Sequence, residues 1–179
     1  FPDRDSARYL NYLPDHVILQ YAGGIGFVSV GTGYTFFNQR FELSCFYGYV
    51  PEWFSAEDLH SVCLQLSAKL IRIKINHDME ILPINFGGFV HHTFGKEYWT
   101  RLPSHYPEDY YFWSPGLVPG IILSMEVKTK LLNYDRPSSG ISFYANLGSR
   151  FIYIENKLGN SSIPFKDIIE FGFGVEVYL

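Results

Sequence analysis

The closing stretch of the chain, IIEFGFGVEVYL, alternates without a break. Ile169, Phe171, Phe173, Val175, Val177 and Leu179 fall on one side of an extended backbone. Glu170, Gly172, Gly174, Glu176 and Tyr178 fall on the other. A side-chain period of two is that of a β-strand. One face is wholly apolar and the other is charged, small or polar, so this strand separates two unlike media.

The same split recurs upstream. In 141–153, Ile141, Phe143, Ala145, Leu147, Phe151 and Tyr153 oppose Ser142, Tyr144, Asn146, Gly148 and Arg150. In 82–94, Leu82, Ile84, Phe86, Val90 and Phe94 oppose Asn85, Gly87, His91 and Thr93. Segments 27–37, 41–50, 59–70 and 117–131 divide in the same way. A first strand at 17–22 ends at Gly23-Gly24, which makes eight; the alternative is one long bent strand from 17 to 37. Helical signals are confined to single turns at Ser6–Leu13 and Ala56–Leu59. The connections alternate in length: 37–40, 73–78 and 132–139 are short, whereas 51–57, 96–115 and 158–167 are longer. That asymmetry between the two ends is typical of outer-membrane barrels.

The composition of the two faces names the media. A soluble barrel turns its apolar face inward and sends Lys, Glu and Asp to water. Here Glu42, Lys69, Glu126, Lys128, Arg150, Glu170 and Glu176 sit on the face rich in Gly and Ser. The opposite face is Leu, Ile, Val, Phe and Tyr. Charged residues are only 18% of the chain and aromatics are also 18%. A closed barrel satisfies every backbone group in lipid, and eight strands leave an interior that side chains can fill. The expected fold class is therefore all-β: an antiparallel, up-and-down transmembrane β-barrel of eight strands. Its periplasmic turns are short and its external loops longer. Residues 1–16 form an N-terminal periplasmic segment and 17–179 a single barrel. Glu42 with Lys69, and Arg150 with the region of Glu176, are expected to pair inside and plug the lumen.

The terminal strand DIIEFGFGVEVYL and the alternating segments resemble a small bacterial outer-membrane β-barrel of the eight-stranded class. The stretches LQYAGGIGFVSVGTGYTFF, CFYGYVPE, DLHSV and YPEDYYFWS are similar to outer-membrane proteins of Bacteroidota-type bacteria that carry no assigned chemistry. The terminal strand of such barrels commonly ends in Phe; here Leu179 follows Tyr178. The resemblance implies a fold and a location, the bacterial outer membrane after removal of an export signal. It implies no activity.

Chemistry-bearing constellations are few. Gly24-Ile25-Gly26 and Gly31-Thr32-Gly33 do not complete a nucleotide fingerprint and open no helix. His91 and His92 are adjacent on a strand and face opposite sides; no metal or other cofactor is expected. Cys45 is on the outward face and Cys63 on the inward face, which opposes a disulfide. The net charge of −4 argues against nucleic acid. His92, His105, Asp109 and Ser114 are weak candidates for a lipid-modifying enzyme, in the manner of barrel enzymes that act on lipid A. The expected role is instead non-enzymatic, as a structural or accessory subunit of a larger envelope complex. A further alternative is an adhesin or ligand receptor acting through loop 96–115. In that loop Tyr98, Trp99, Arg101, Tyr110, Tyr111 and Trp113 are the expected contacts to a partner or to lipopolysaccharide, because aromatic and Arg anchors dominate interfaces. Tyr47, Tyr49, Trp53 and Phe54 belong to the same external rim.

Overall fold

The computed structural model describes residues 13–95, 116–130 and 139–179. The strands are β1 (His16–Ala22), β2 (Val28–Phe36), β3 (Phe41–Val50), β4 (Leu59–Ala68), β5 (Ile73–Lys74), β6 (Met79–Phe94), β7 (Leu117–Lys130), β8 (Gly140–Arg150) and β9 (Glu170–Tyr178). Every pairing is antiparallel, and β4 pairs with β6 to close the sheet on itself. The two-residue β5 only extends β6 below the wall. The result is an eight-stranded barrel. Among the described residues no helix is long and apolar enough to cross a membrane, which says nothing about strands.

The strands are staggered around the barrel. Register partners run from Tyr178 through His16, Gly33, Ser44, Gln65, Phe89 and Gly120 to Arg150. Arg150 lies just past Gly148, the partner of Glu170. The line thus returns to β9 at the far end from Tyr178. Such a stagger tilts the strands, typically by about 35–45°.

The short end carries the 37–40 turn, in which Phe37, Asn38 and Gln39 all have positive φ. The other end carries the connections 51–58, 95–116 and 151–169. The hairpin joining β1 to β2 also lies at this end. Gly23 and Gly24 take φ of +79° and +77° there, a left-handed backbone that glycine adopts without strain. This turn separates β1 from β2, so 17–37 is two strands and not one bent one.

Side chains alternate as the sequence requires. Leu19, Phe143 and Phe171 point outward and remain 55%, 59% and 56% exposed. His16, Gln20, Ser44, Asn85 and Glu176 point inward and are buried. Two local expectations are corrected. Leu82 faces the lumen, because a bulge between Leu82 and Asn85 shifts the register by one and reverses the faces below it. Pro83 sits in that bulge, where its missing N–H costs no ladder bond. Residues 151–153 do not extend β8; Phe151–Gly159 form helix α1. The β8–β9 ladder ends at Gly148 and the β7–β8 ladder at Arg150. Beyond that point the backbone has no sheet neighbour and satisfies its own N–H and C=O groups as a helix. The short turn near 56–59 falls earlier, as a 3-10 turn over Glu52–Phe54. The expected turn at 6–13 lies almost wholly outside the described residues.

Candidate functional site

The lumen holds the ionisable groups, in layers. Nearest the short end is a knot centred on Lys69. Its ammonium lies 2.6 Å from Glu42, 2.9 Å from Glu126 and 3.5 Å from Glu176. It also donates to Tyr178 Oη at 2.7 Å. Tyr178 in turn donates to Glu126 at 3.2 Å. His16, fully buried, bridges Glu176 (3.5 Å from Nδ1) and Ser44 (3.1 Å from Nε2), and Ser44 donates to Glu42. Lys128 stands over the Tyr178 ring at 3.3 Å. Side chains from three strands, β3, β7 and β9, thus converge on one ammonium. Buried carboxylates require such partners, because an unpaired charge in a dry interior is costly.

Above the knot lies a polar layer. Gln20 Oε1 accepts from Tyr144 Oη (2.8 Å) and from Asn146 Nδ2 (3.0 Å). Beside it is an apolar layer of Ile18, Ile25, Phe46, Cys63, Phe89 and Ile122. Gly31 makes room for it: a Cβ there would come within 2.7 Å of the Phe46 ring. Between the knot and these layers remains a cavity of about 20 Å³, bordered by Gln65, Lys69, Tyr144 and Asn146. That is room for roughly one water. The described lumen is a packed core rather than a channel.

The upper layer is held by Arg150. Its Nε lies 3.1 Å from Glu170 and its Nη2 donates to Gly24 O at 2.6 Å. The expected pairing of Arg150 with the region of Glu176 is therefore corrected. The antiparallel register places Glu170 beside Gly148 and Glu176 beside Ser142, a strand length away.

Of the interior residues expected from sequence, Glu42, Lys69, Glu126 and Glu176 meet in the knot, Lys128 stands beside it over Tyr178, and Arg150 and Glu170 pair in the upper layer. Sequence reasoning missed that Glu126, Glu176, His16 and Tyr178 join the Lys69 pair. The available signal was that each occupies an inward position close to the same end of its strand. His92 lies on the outward face, where its Nδ1 meets Gly116 O and its ring packs edge-on to Phe94. His105, Asp109 and Ser114 lie outside the described residues, as do Tyr98, Trp99, Arg101, Tyr110, Tyr111 and Trp113. Cys45 is exposed, Cys63 is buried, and both are free thiols. Tyr47, Tyr49, Trp53 and Phe54 are exposed at the long-loop end.

For a metal, the described residues offer one grouping, His16, Glu42 and Glu176, with ligand atoms within 4.8 Å of one another. Lys69 already supplies the cation at that spot. The geometry of the knot can lock strands together and seal the lumen; the Ser44–His16–Glu176 line within it pairs a hydroxyl with an imidazole, but all three side chains are buried in the sealed interior.

No family model, curated protein or solved structure matches this chain.

Proposed function

We propose that the chain is an outer-membrane β-barrel of a Gram-negative bacterium, serving as a non-enzymatic structural or accessory subunit of a larger envelope complex. The observation that carries the membrane assignment is the inversion of the two faces. The wall exposes Leu, Val, Ile and Phe around its whole circumference, while Glu, Lys, His and Asn are inside. In water, so large an apolar surface drives association. In lipid it is the solvated surface, and the closed ladder leaves no backbone group unpaired at a sheet edge.

The dimensions support the same reading. From Phe41 to Tyr49 on β3, roughly 3.3 Å per residue at about 40° of tilt gives an outward apolar band on the order of 20 Å. Transmembrane barrels carry a band of about 25 Å flanked by aromatic girdles. Phe36, Phe37 and Phe41 would form one girdle; Tyr47, Tyr49, Trp53 and Phe54 would form the other. The short-turn end then faces the periplasm, and the long-loop end faces outward, in contact with lipopolysaccharide. A filled lumen favours an accessory role over transport, since the surfaces left for work are the wall and the loops.

The test is export with a signal peptide, outer-membrane fractionation and purification in mild detergent. The expected protein fractionates with the outer membrane, migrates faster on a gel before boiling than after, and co-purifies with stable partners. Replacing 98–113 by a short Gly-Ser turn should leave insertion intact and abolish co-purification. Isolation of the barrel alone would refute the accessory role. Altered lipid A in a deletion strain would favour the lipid-modifying enzyme.

A further inference from the structure

The β1–β2 hairpin does not stand upright on the rim; it tucks over the lumen. Ile25 is buried, and its carbonyl accepts from Ser61 Oγ and lies 3.5 Å from His91 Nε2. Beside and above the tucked hairpin lies a vestibule of about 330 Å³. Its walls include Ile25, Phe27, Val50, Phe54 and Leu59, and among the described residues its ionisable lining groups are His91 and Arg150. That size and mixture, apolar walls with a few convergent polar groups, are those of a small-molecule site.

A chain of ring contacts links this vestibule to the outer wall. Phe171 meets Phe173 at 6.3 Å, Phe173 meets Tyr21 at 5.3 Å, and Tyr21 meets Phe27 at 4.9 Å. Phe27 then stacks on Phe54 at 4.4 Å. The first three residues belong to the outward apolar face; the last two line the vestibule. Phe27, touching Tyr21 on one side and Phe54 on the other, bridges the two surfaces.

We propose that the vestibule binds the chain of a single-chain membrane amphiphile with an anionic head, which enters sideways from the wall across Phe27. Apolar walls accept the chain, and Arg150 and His91 are the lining groups that receive the head. Glu170, paired with Arg150, and the carbonyls of Gly24 and Ile25 are the acceptors that the head must share these groups with. The site rests on the membrane reading above and adds to it a ligand.

The experiment uses the full chain folded into phospholipid vesicles, with dodecanoic acid carrying a photoreactive diazirine at the end of its chain. Adducts are mapped by mass spectrometry. Expected are adducts on Ile25, Phe27 or Leu59 that saturate and are competed by plain dodecanoic acid. They are lost in Leu59→Trp, which fills the cavity without touching Arg150. Phe54→Ala, at a position 63% exposed and outside every strand, reduces them and decides the matter if the Trp variant fails to fold. Labelling at these residues that neither saturates nor responds to Phe54→Ala overturns the site. So does its absence while Phe171 is labelled. If Phe171 and the outer wall are also unlabelled, the membrane reading fails, and the site with it.

Discussion

Replacing Lys69 by Met removes the ammonium and keeps most of the apolar stem. In the native barrel that ammonium serves Glu42, Glu126 and Glu176 together, and the four side chains are at most 6% exposed. Breaking a buried ion pair by deleting one partner typically costs about 3–5 kcal/mol, because the other charge stays buried and uncompensated. Here three carboxylates lose their shared partner, which places the expected cost toward the upper part of that range. Lys128 and His16 remain nearby and limit it. The loss is measured by urea unfolding of the barrel in vesicles, with the folded fraction read from the unboiled gel band. Glu42→Gln added to Lys69→Met should recover part of the loss, a non-additivity that marks direct contact. A cost below about 1 kcal/mol would refute the reasoning, since only screened, solvated charges are that cheap to remove.

Val175→Arg, in the middle of β9 on the outward face between Leu19 and Phe143, should destabilise insertion by about 2–4 kcal/mol, the cost of a cation on the lipid face near mid-depth; Val175→Leu should be nearly neutral, and similar assembly yields for both would contradict the assigned medium. Phe46→Ala removes a ring 2% exposed within the apolar layer and should cost about 3–5 kcal/mol in the same unfolding assay. In a planar bilayer the wild-type barrel should give no steady conductance, because the layers between Lys69 and Arg150 fill the lumen; stable, reproducible current steps would contradict that packing.

Most of the fold was legible because the period-two signal is strong wherever both faces are specified. Segments 41–50 and 117–131 match β3 and β7 almost to the residue, as their outward and inward sets are chemically opposite. The signal failed where strand chemistry continued beyond sheet geometry. Phe151, Tyr153 and the intervening Ile152 favour a strand by composition, and nothing in the sequence tells that β7 and β9 have stopped pairing there. Leu82 was misplaced because a bulge changes facing without changing residue type. The interior was legible as a set of inward charges. It was not legible as a network, because which inward residues meet depends on closure and stagger. Glu42 on β3 and Lys69, one residue past β4, are neighbours along one hairpin, whereas Glu126 and Glu176 reach Lys69 across the lumen from β7 and β9. Adjacency along a hairpin can be read from sequence; adjacency across a barrel requires the register of every strand between.

The protein's own thiols allow the most direct test of which medium the wall meets. Cys45 lies outward in the middle of β3, between Phe41 and Val50, and Cys63 is buried in the lumen. In a Cys63→Ser background, a nitroxide placed on Cys45 reports collisions with molecular oxygen, which dissolves in lipid, and with a water-soluble nickel chelate. High oxygen and low nickel accessibility are expected for the barrel folded in vesicles. High nickel accessibility in that folded state would put the apolar face in water and overturn the membrane assignment.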